Sequence, residues 1–210
     1  MSAASRKSPS PARQKPAGRP PGSDSERSHD ALLAAARLHF ARRGFGPANV
    51  REIAEEAGYT TSTLYHYFGD KQGLYVEVYR DAERRIADAY RPVVDGPGSR
   101  QERLLALLEA AIELHGVDES VPLFMAAVPL DIRRHSELGA VIRAMRIDTP
   151  AILNRLVAGA STPRALASLL MSVTVGMALT AGEGGHRAYA AMLRACGAHL
   201  QLDEAVRPQG

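Results

Sequence analysis

Apolar residues recur at the three- and four-residue spacing of an α-helix along most of the chain from Asp30 onward. Leu32, Leu33, Ala36 and Phe40 begin this pattern, and no segment alternates apolar and polar residues as a half-buried strand does. A chain with this one periodicity buries its apolar faces by packing helix against helix. The sequence therefore predicts an all-α fold.

Local start and stop signals divide the pattern into separate helices. Asn49 and Ser99 each stand three positions before a glutamate, which is the spacing of a capping box. Asp70 and Thr162 are further candidate N-caps, and Pro163 suits the first helical position. The predicted helices end near Gly44 and Gly58 and then span about 61–68, 71–91, 99–114, 120–134, 136–158, 163–181 and 186–202.

Composition places the chain among ordinary globular proteins. It has 210 residues, of which 45% are apolar and 23% charged, enough for one or two domains. No run of 18 apolar residues predicts a transmembrane helix, and the polar N-terminus lacks the apolar core of a secretory signal. The single Cys196 excludes an internal disulfide framework. We therefore expect a cytoplasmic protein with no membrane partner.

Positive charge is concentrated at the start of the chain. Residues 1–28 contain six basic and two acidic residues, a net charge of +4, so the other 182 residues sum to −1 within the total of +3. Their serine- and proline-rich composition predicts a disordered arm that is attracted to a polyanion. Gly18-Arg19-Pro20 resembles a minor-groove hook, although Ala17 stands where such a hook usually has arginine. General attraction to phosphates is the alternative role for the arm.

The stretch from Asn49 to Lys71 places two short helices on either side of Gly58-Tyr59-Thr60. Gly58 can supply the left-handed backbone that a three-residue turn needs. The small Ala54 lies one turn before the bend, where crossing helices approach each other. These features predict a helix-turn-helix within a domain of residues 29–75.

The second helix of this unit has two chemically different faces. On a helical wheel, Leu64 and Phe68 point inward, whereas Ser62, Thr63 and His66 point away from the core. Hydroxyl groups can reach base edges and phosphates in a DNA groove, and the flanking tyrosines can donate to phosphates at its rim. The alternative interpretation is a polar surface helix whose tyrosines belong to the core.

The segment from about 31 to 79 resembles the DNA-binding domain of TetR-family transcriptional regulators. The resemblance rests on IAEEAG at 53–58, TLYHYF at 63–68 and the Asp70-Lys71 pair before a long apolar helix, and it covers about a quarter of the chain. Asn49 replaces a frequent threonine, and Ser62 replaces a frequent glycine or alanine. The resemblance implies that helix 61–68 enters the major groove. The expected DNA-contacting residues are Arg51, Thr61, Ser62, Thr63, Tyr65, His66, Tyr67 and Lys71, with Arg19 in the arm.

Residues 76–206 are predicted to form a helical bundle for dimerisation and effector binding. Residues 100–206 contain no metal-ligand spacing, nucleophile elbow, phosphate loop or dinucleotide fingerprint, so we expect no metal, cofactor or catalytic function. The helices at 163–181 and 186–202 are apolar over most of their circumference, which predicts burial against a second subunit. The resemblance also implies a homodimer that joins through these helices on a palindromic operator.

The resemblance further implies a small-molecule pocket among the central helices. Apolar walls would suit an apolar or weakly anionic effector, and each candidate wall residue has plain core packing as its alternative. The candidate pocket residues are Phe124, Met125, Met145, Met171, Thr174 and Met177, with His115 and Arg143 as polar anchors if they point inward.

The sequence therefore predicts a TetR-type repressor that a small-molecule effector releases from DNA, with helix 71–91 coupling the two domains. One alternative is a regulator or activator that a protein partner controls. The other is an all-helical enzyme with a vestigial helix-turn-helix, which would need a polar catalytic cluster that residues 100–206 do not contain.

Overall fold

The computed structural model describes residues 21–145, 147–160, 162–181 and 184–205, and within these ranges it describes side chains from Ser25 to Ala198. The described residues form ten α-helices and no β-strand, which confirms the predicted all-α class. The helices are α1 (Pro21–Arg43), α2 (Val50–Glu56), α3 (Thr61–Phe68), α4 (Lys71–Val94), α5 (Arg100–Val117), α6 (Ser120–Arg134), α7 (Ser136–Ala144), α8 (Thr149–Leu156), α9 (Pro163–Ala181) and α10 (Gly185–Ala205).

Side-chain caps start several helices at the predicted residues. Ser99 begins α5 with a complete capping box, because its Oγ accepts from the Glu102 amide at 3.2 Å and Glu102 accepts from the Ser99 amide at 2.7 Å. Asn49 caps α2 by accepting from the Arg51 amide at 2.9 Å. The glutamate half of that second box is absent, since Glu52 pairs with Arg43 of α1 instead.

The prediction of a disordered arm over residues 1–28 is wrong for its last eight residues, because α1 already begins at Pro21. Proline suits the first turn of a helix, where its missing N–H would have had no intrahelical partner. Ser25 then ties this turn to α3, since its Oγ lies 3.0 Å from the hydroxyl of Tyr67. Residues 1–20, with Arg19, lie outside the described residues.

Two further helix boundaries differ from the prediction. α4 continues through Pro92 to Val94 rather than ending at Arg91. A proline so close to the end of a helix removes only one backbone hydrogen bond from the last turn. The predicted helix 136–158 is interrupted after Ala144, where Met145 has an extended backbone, and Pro150 then lies in the first turn of α8.

The long helix α4 joins the two predicted domains. It packs against α1 and α6 as well as α5 and α8. Leu74, Val78, Ala82 and Ile86 repeat at four-residue intervals and are each at most 3% exposed. The predicted boundary between residues 75 and 76 therefore falls inside one continuous, buried helix, so the helix-turn-helix is built onto the bundle rather than linked to it by a flexible segment.

A buried arginine connects α1 to the bundle. Arg37 is 2% exposed, and its guanidinium donates to Asp81 of α4 at 2.7 Å and to Ser120 at the start of α6 at 2.8 Å. The third partner is Asp118, in the connection between α5 and α6. Arg85 also donates to Asp81, at 2.7 Å. Because a buried charge is costly unless its hydrogen bonds are satisfied, this network fixes the position of α1 against two other helices.

A second buried junction fixes the loop that follows α1. Asp131 of α6 is 3% exposed and accepts from the Tyr75 hydroxyl and from the Phe45 amide, each at 3.0 Å. Gly44 has a φ of +77°, and a Cβ at this position would lie 2.9 Å from Asp131 Oδ1. Glycine is therefore required both by the left-handed backbone and by the approach of the carboxylate.

We predict that Arg37→Met lowers the free energy of unfolding by about 3–5 kcal/mol, because it leaves the buried Asp81 carboxylate short of its partner. Chemical denaturation at a fixed protein concentration measures this change. The control is Arg155→Met, which removes a half-exposed ion pair with Asp95 and should cost no more than about 1 kcal/mol. Equal losses in the two variants would contradict the structural role of the buried network.

Candidate functional site

The turn between α2 and α3 has the geometry of a tight helix-turn-helix bend. Gly58 adopts a φ of +79°, which favours glycine, and the Tyr59 amide donates to the Ala54 carbonyl at 2.8 Å. Ala54 and Ile53 are fully buried, so α2 and α3 meet over a small side chain. The bend therefore sets the angle at which α3 leaves the domain.

α3 buries one face and exposes the other, as the helical wheel predicts. Leu64 is fully buried and Phe68 is 7% exposed, whereas Ser62, Tyr65 and His66 are exposed. Thr61, Thr63 and Tyr67 are partly buried at the edges of this polar face. The outer surface of α3 thus presents a hydroxyl, a phenol and an imidazole without any formal acid.

The N-terminus of α3 is held by a side-chain cap. Thr60 Oγ1 accepts from the Thr63 amide at 3.2 Å and lies 3.0 Å from the Thr63 hydroxyl. The other amides of this first turn are available to a phosphate, which helix N-termini bind readily. Thr63 is therefore committed partly to its own helix, while Ser62 is free to face outward.

Besides Thr63, three of the predicted DNA-contacting side chains have polar partners within the protein. Lys71 Nζ donates to the Gly46 carbonyl at 2.8 Å and lies 5.0 Å from the centre of the Phe45 ring. Burial lowers the pKa of Lys71. Arg51 pairs with Glu55 at 2.8 Å on the exposed side of α2. The hydroxyl of Tyr67 donates to the Ser25 carbonyl at 3.3 Å. Lys71 and Tyr67 thus also fix neighbouring segments.

The start of α1 lies beside α3. Ser25, which contacts Tyr67, lies one helical turn after Pro21, where α1 begins, a rise of about 6 Å along the axis of α1. His29 extends the same contact, since its ring centre lies 5.8 Å from that of Tyr67 and 5.1 Å from that of Phe68. The basic segment 1–20 therefore joins the described chain next to the polar face of α3.

This arrangement matches a known family of regulators. Residues 32–78, which include α2, α3 and their turn, match the family model described as bacterial regulatory proteins, tetR family. The similarity to the TetR family is therefore established for this segment of the chain. The family model confirms the resemblance in IAEEAG and TLYHYF, and its bounds agree with the predicted span of about 31 to 79, from the middle of α1 into α4.

The chain is also similar to curated HTH-type transcriptional repressors. The repressor KstR2 of Mycolicibacterium smegmatis is 37% identical over 84 residues, which is 40% of this chain and 41% of that protein. The repressor AcnR of Corynebacterium glutamicum is 28% identical over 130 residues, 62% of each chain. The match to KstR2 thus spans about two fifths of its length. These relatives are named as transcriptional regulators, not as enzymes.

Solved TetR-like structures extend the similarity of fold through the bundle. A transcriptional regulator from Rhodococcus sp. Rha1 superposes with a TM-score of 0.64 at 23% identity, covering 84% of this chain and 97% of that one. The ketosteroid transcriptional regulator KstR2 of Mycobacterium tuberculosis gives a TM-score of 0.60 at 21% identity, over 82% and 92% of the two chains. At these identities the similarity concerns the fold alone.

The predicted pocket residues do not all come together. Met125 and Met171 line one groove between α4, α6 and α9, whose volume is about 430 Å³. Its other lining residues are Tyr79, Glu83, Ala126, Val128, Pro129, Ile147, Pro150, Ser172, Val175, Gly176 and Leu179. This volume lies within the ordinary range of small-molecule sites, and most of the lining is apolar.

The other predicted pocket residues lie elsewhere. Phe124 is fully buried in a ring cluster with Tyr75, at 5.1 Å between ring centres. Thr174 faces the core and donates to the Leu170 carbonyl at 3.0 Å. His115 is buried and stacks on Tyr189 at 4.2 Å, whereas Arg143 is exposed on α7 and does not point inward. Neither residue lines the groove. Met145 and Met177 are partly buried against the core, away from the groove lining.

Glu83 is the residue of the groove that the sequence analysis missed. It lies on the buried side of α4 and is 5% exposed, and its Oε2 has no hydrogen-bond partner among the described residues. Burial raises the pKa of Glu83; the hydroxyls of Thr149 and Tyr79 lower it, and repulsion from Asp148 adds to the increase. The sequence did contain a signal that Glu83 is buried: it lies on the apolar stripe of α4, one residue after Ala82 and three before Ile86.

Two other features of the described residues bear on the earlier predictions. No group of three or more His, Cys, Asp or Glu residues there is arranged to hold a metal ion. α9 is long and apolar enough to cross a membrane by length and composition alone, with a mean hydropathy of 1.5 and 28% of its residues buried. One such helix is weak evidence for membrane insertion, because helices that pack inside proteins meet the same criterion.

We predict that Glu83→Gln changes how stability depends on pH. The pKa of Glu83 is higher in the folded than in the unfolded protein, where it is about 4.3. The folded protein therefore holds the proton more tightly, and this stabilisation is fully present below the unfolded pKa and is lost as the pH rises through the folded pKa. The variant lacks this loss, so its free energy of unfolding relative to wild type should increase from pH 4 to pH 8. The exposed substitution Glu113→Gln should give a curve parallel to wild type, and parallel curves for both variants would contradict the burial of Glu83.

Proposed function

We propose that the protein is a homodimeric transcriptional repressor that binds a palindromic DNA operator and is released from it by a small-molecule effector. The observation that carries the proposal is the polar outer face of α3, mounted on the buried Leu64 and Phe68 within a helix-turn-helix of the TetR family. Curated relatives of the same class are named as repressors, which supports this direction of control.

In this proposal α3 enters the major groove. Ser62, Tyr65 and His66 reach base edges or phosphates, because they are the side chains of α3 that project farthest from the core. Thr61, Thr63 and Tyr67 contribute at the rim. Arg51 and Lys71 bind phosphates after exchanging their present partners, Glu55 and the Gly46 carbonyl, for the DNA backbone.

The basic arm adds affinity rather than a defined contact. Residues 1–20 join α1 beside Tyr67, so their positive charges are tethered close to the DNA that α3 binds. Each phosphate that the arm neutralises releases counterions and steepens the dependence of binding on salt. Arg19 is the candidate within this arm for insertion into the minor groove.

The dimer forms through the outer face of α9, together with α10. Leu169 and Leu179 are 56% and 57% exposed, and Gly176 between them has no atom within 4 Å of the position a Cβ would take. Gly176 and Leu179 also line the groove, so the proposed dimer face adjoins it. Large exposed apolar residues beside a glycine suit close packing with a second copy of the same helix. A two-fold axis here would present two copies of α3 to successive major grooves, about 34–36 Å apart.

The groove between α4, α6 and α9 is the proposed effector site. It borders α6, whose Asp131 holds the Phe45 amide in the loop before α2. It also borders α4, which begins directly after α3. An effector that binds better to one arrangement of these helices would shift the population away from the DNA-binding state. The presence of this groove favours control by a small molecule over control by a protein partner.

DNA selected from a random pool by the full-length protein tests this function. We expect the enriched sequences to contain an inverted repeat, because two identical α3 helices read it. His66→Ala combined with Ser62→Ala should then weaken binding to that repeat by roughly tenfold or more, since each lost base contact costs about 1–3 kcal/mol. In the control Ser136→Ala, the changed residue is exposed at the start of α7, and the variant should bind the repeat as tightly as wild type does. Enrichment of no motif, or unchanged affinity in the double variant, would reject the proposal.

A further inference from the structure

The proposed effector groove contains one acidic group in apolar surroundings. Glu83 is 5% exposed, and the groove around it is lined mainly by Met125, Val128, Met171 and Val175. The Oε2 atom has less than 1 Å² of accessible surface and no hydrogen-bond partner among the described residues. A buried carboxylate oxygen without a donor is unfavourable, so the site is incomplete as it stands.

Nearby cations do not compensate this carboxylate. Arg80, Arg84 and Arg91 line a charged crevice that Glu83 also borders. Each of them is already paired with a different acid: Arg80 with Glu77, Arg84 with Asp81, and Arg91 with Asp148. The described residues provide no ion pair to Glu83, and the lining of the groove itself contains no Lys, Arg or His.

We propose that the groove binds an amphipathic organic cation, whose apolar body lies against Met125, Met171 and Val175 and whose ammonium group pairs with Glu83. This inference rests on the proposed effector site and assigns its ligand class. It replaces the expectation of an apolar or weakly anionic effector, which was based on the methionine-rich walls alone.

The alternative ligand classes fit the groove less well. A carboxylate ligand would face repulsion from Glu83 and from Asp148, which already raises the pKa of the Glu83 carboxyl. A purely apolar ligand would leave Oε2 without a donor. A cation supplies the missing donor and the missing charge together, and a charged hydrogen bond of this kind is stronger than a neutral one.

Three probes that share an eight-carbon chain test the assignment: octylammonium, whose N–H groups can donate to Glu83, octanol and octanoate. Isothermal titration calorimetry on the full-length protein without DNA should show that the cation binds at least tenfold more tightly than octanoate, with octanol between them. Glu83→Gln should abolish this discrimination while changing the octanol affinity by less than twofold. Glu113→Gln removes the same formal charge from an exposed position on α5. This variant should still bind the cation more tightly than octanoate.

A groove-filling variant locates the binding. Val175→Trp should weaken binding of all three probes at least tenfold, because the indole occupies the space beside Met171. Persistent binding in this variant would place the probes elsewhere and overturn the proposal. Equal or tighter binding of octanoate, discrimination that survives Glu83→Gln, or no binding of any probe would overturn it as well.

The effector role is tested separately with the selected DNA. Cation binding that depends on Glu83 but does not weaken DNA binding would leave the ligand assignment standing and reject the proposed release mechanism. Sequence-specific DNA binding together with failure of all three probes would reject the ligand assignment and leave the DNA-binding function standing.

Discussion

The contacts of Arg37 are the interaction on which the rest of the structure depends. One buried guanidinium joins α1, α4 and the start of α6, so the helix that precedes α2 and α3, the proposed DNA-reading unit, cannot move without separating charges in the interior. Asp131 adds a second junction from α6 to Phe45. Because both junctions are buried and directional, α1–α3 and the bundle behave as one body joined at specific points.

The junction at Asp131 offers a route by which a ligand in the proposed effector groove would change the position of α3. Met125 and Val128 line the groove on α6, and Asp131 lies one turn beyond Val128 on the same helix. A rigid helix transmits a shift at one end to the other, since packed interfaces move between discrete arrangements rather than deforming gradually. The short loop from Gly44 to Asn49, which contains Phe45 and leads into α2, would pass such a shift on to α2 and α3.

The sequence predicted local features well and long-range contacts poorly. The bounds of α3 and the caps at Thr60, Asp70 and Ser99 follow from nearby residues, so the pattern alone was sufficient. The interruption after Ala144 and the burial of Glu83 depend on residues far apart in the chain. The methionines illustrate the same limit, because the neighbours of α9 decide that Met171 faces the groove while Met177 packs away from it.

The central claim is that α6 positions the DNA-reading unit through Asp131. Amide hydrogen exchange of Asp131→Ala, compared with wild type, tests it most directly. The account predicts faster exchange in residues 44–56 and in α3, with α9 and α10 unchanged, because the lost carboxylate releases the loop at Phe45. Equal acceleration in every helix, or no change in residues 44–56, would contradict it.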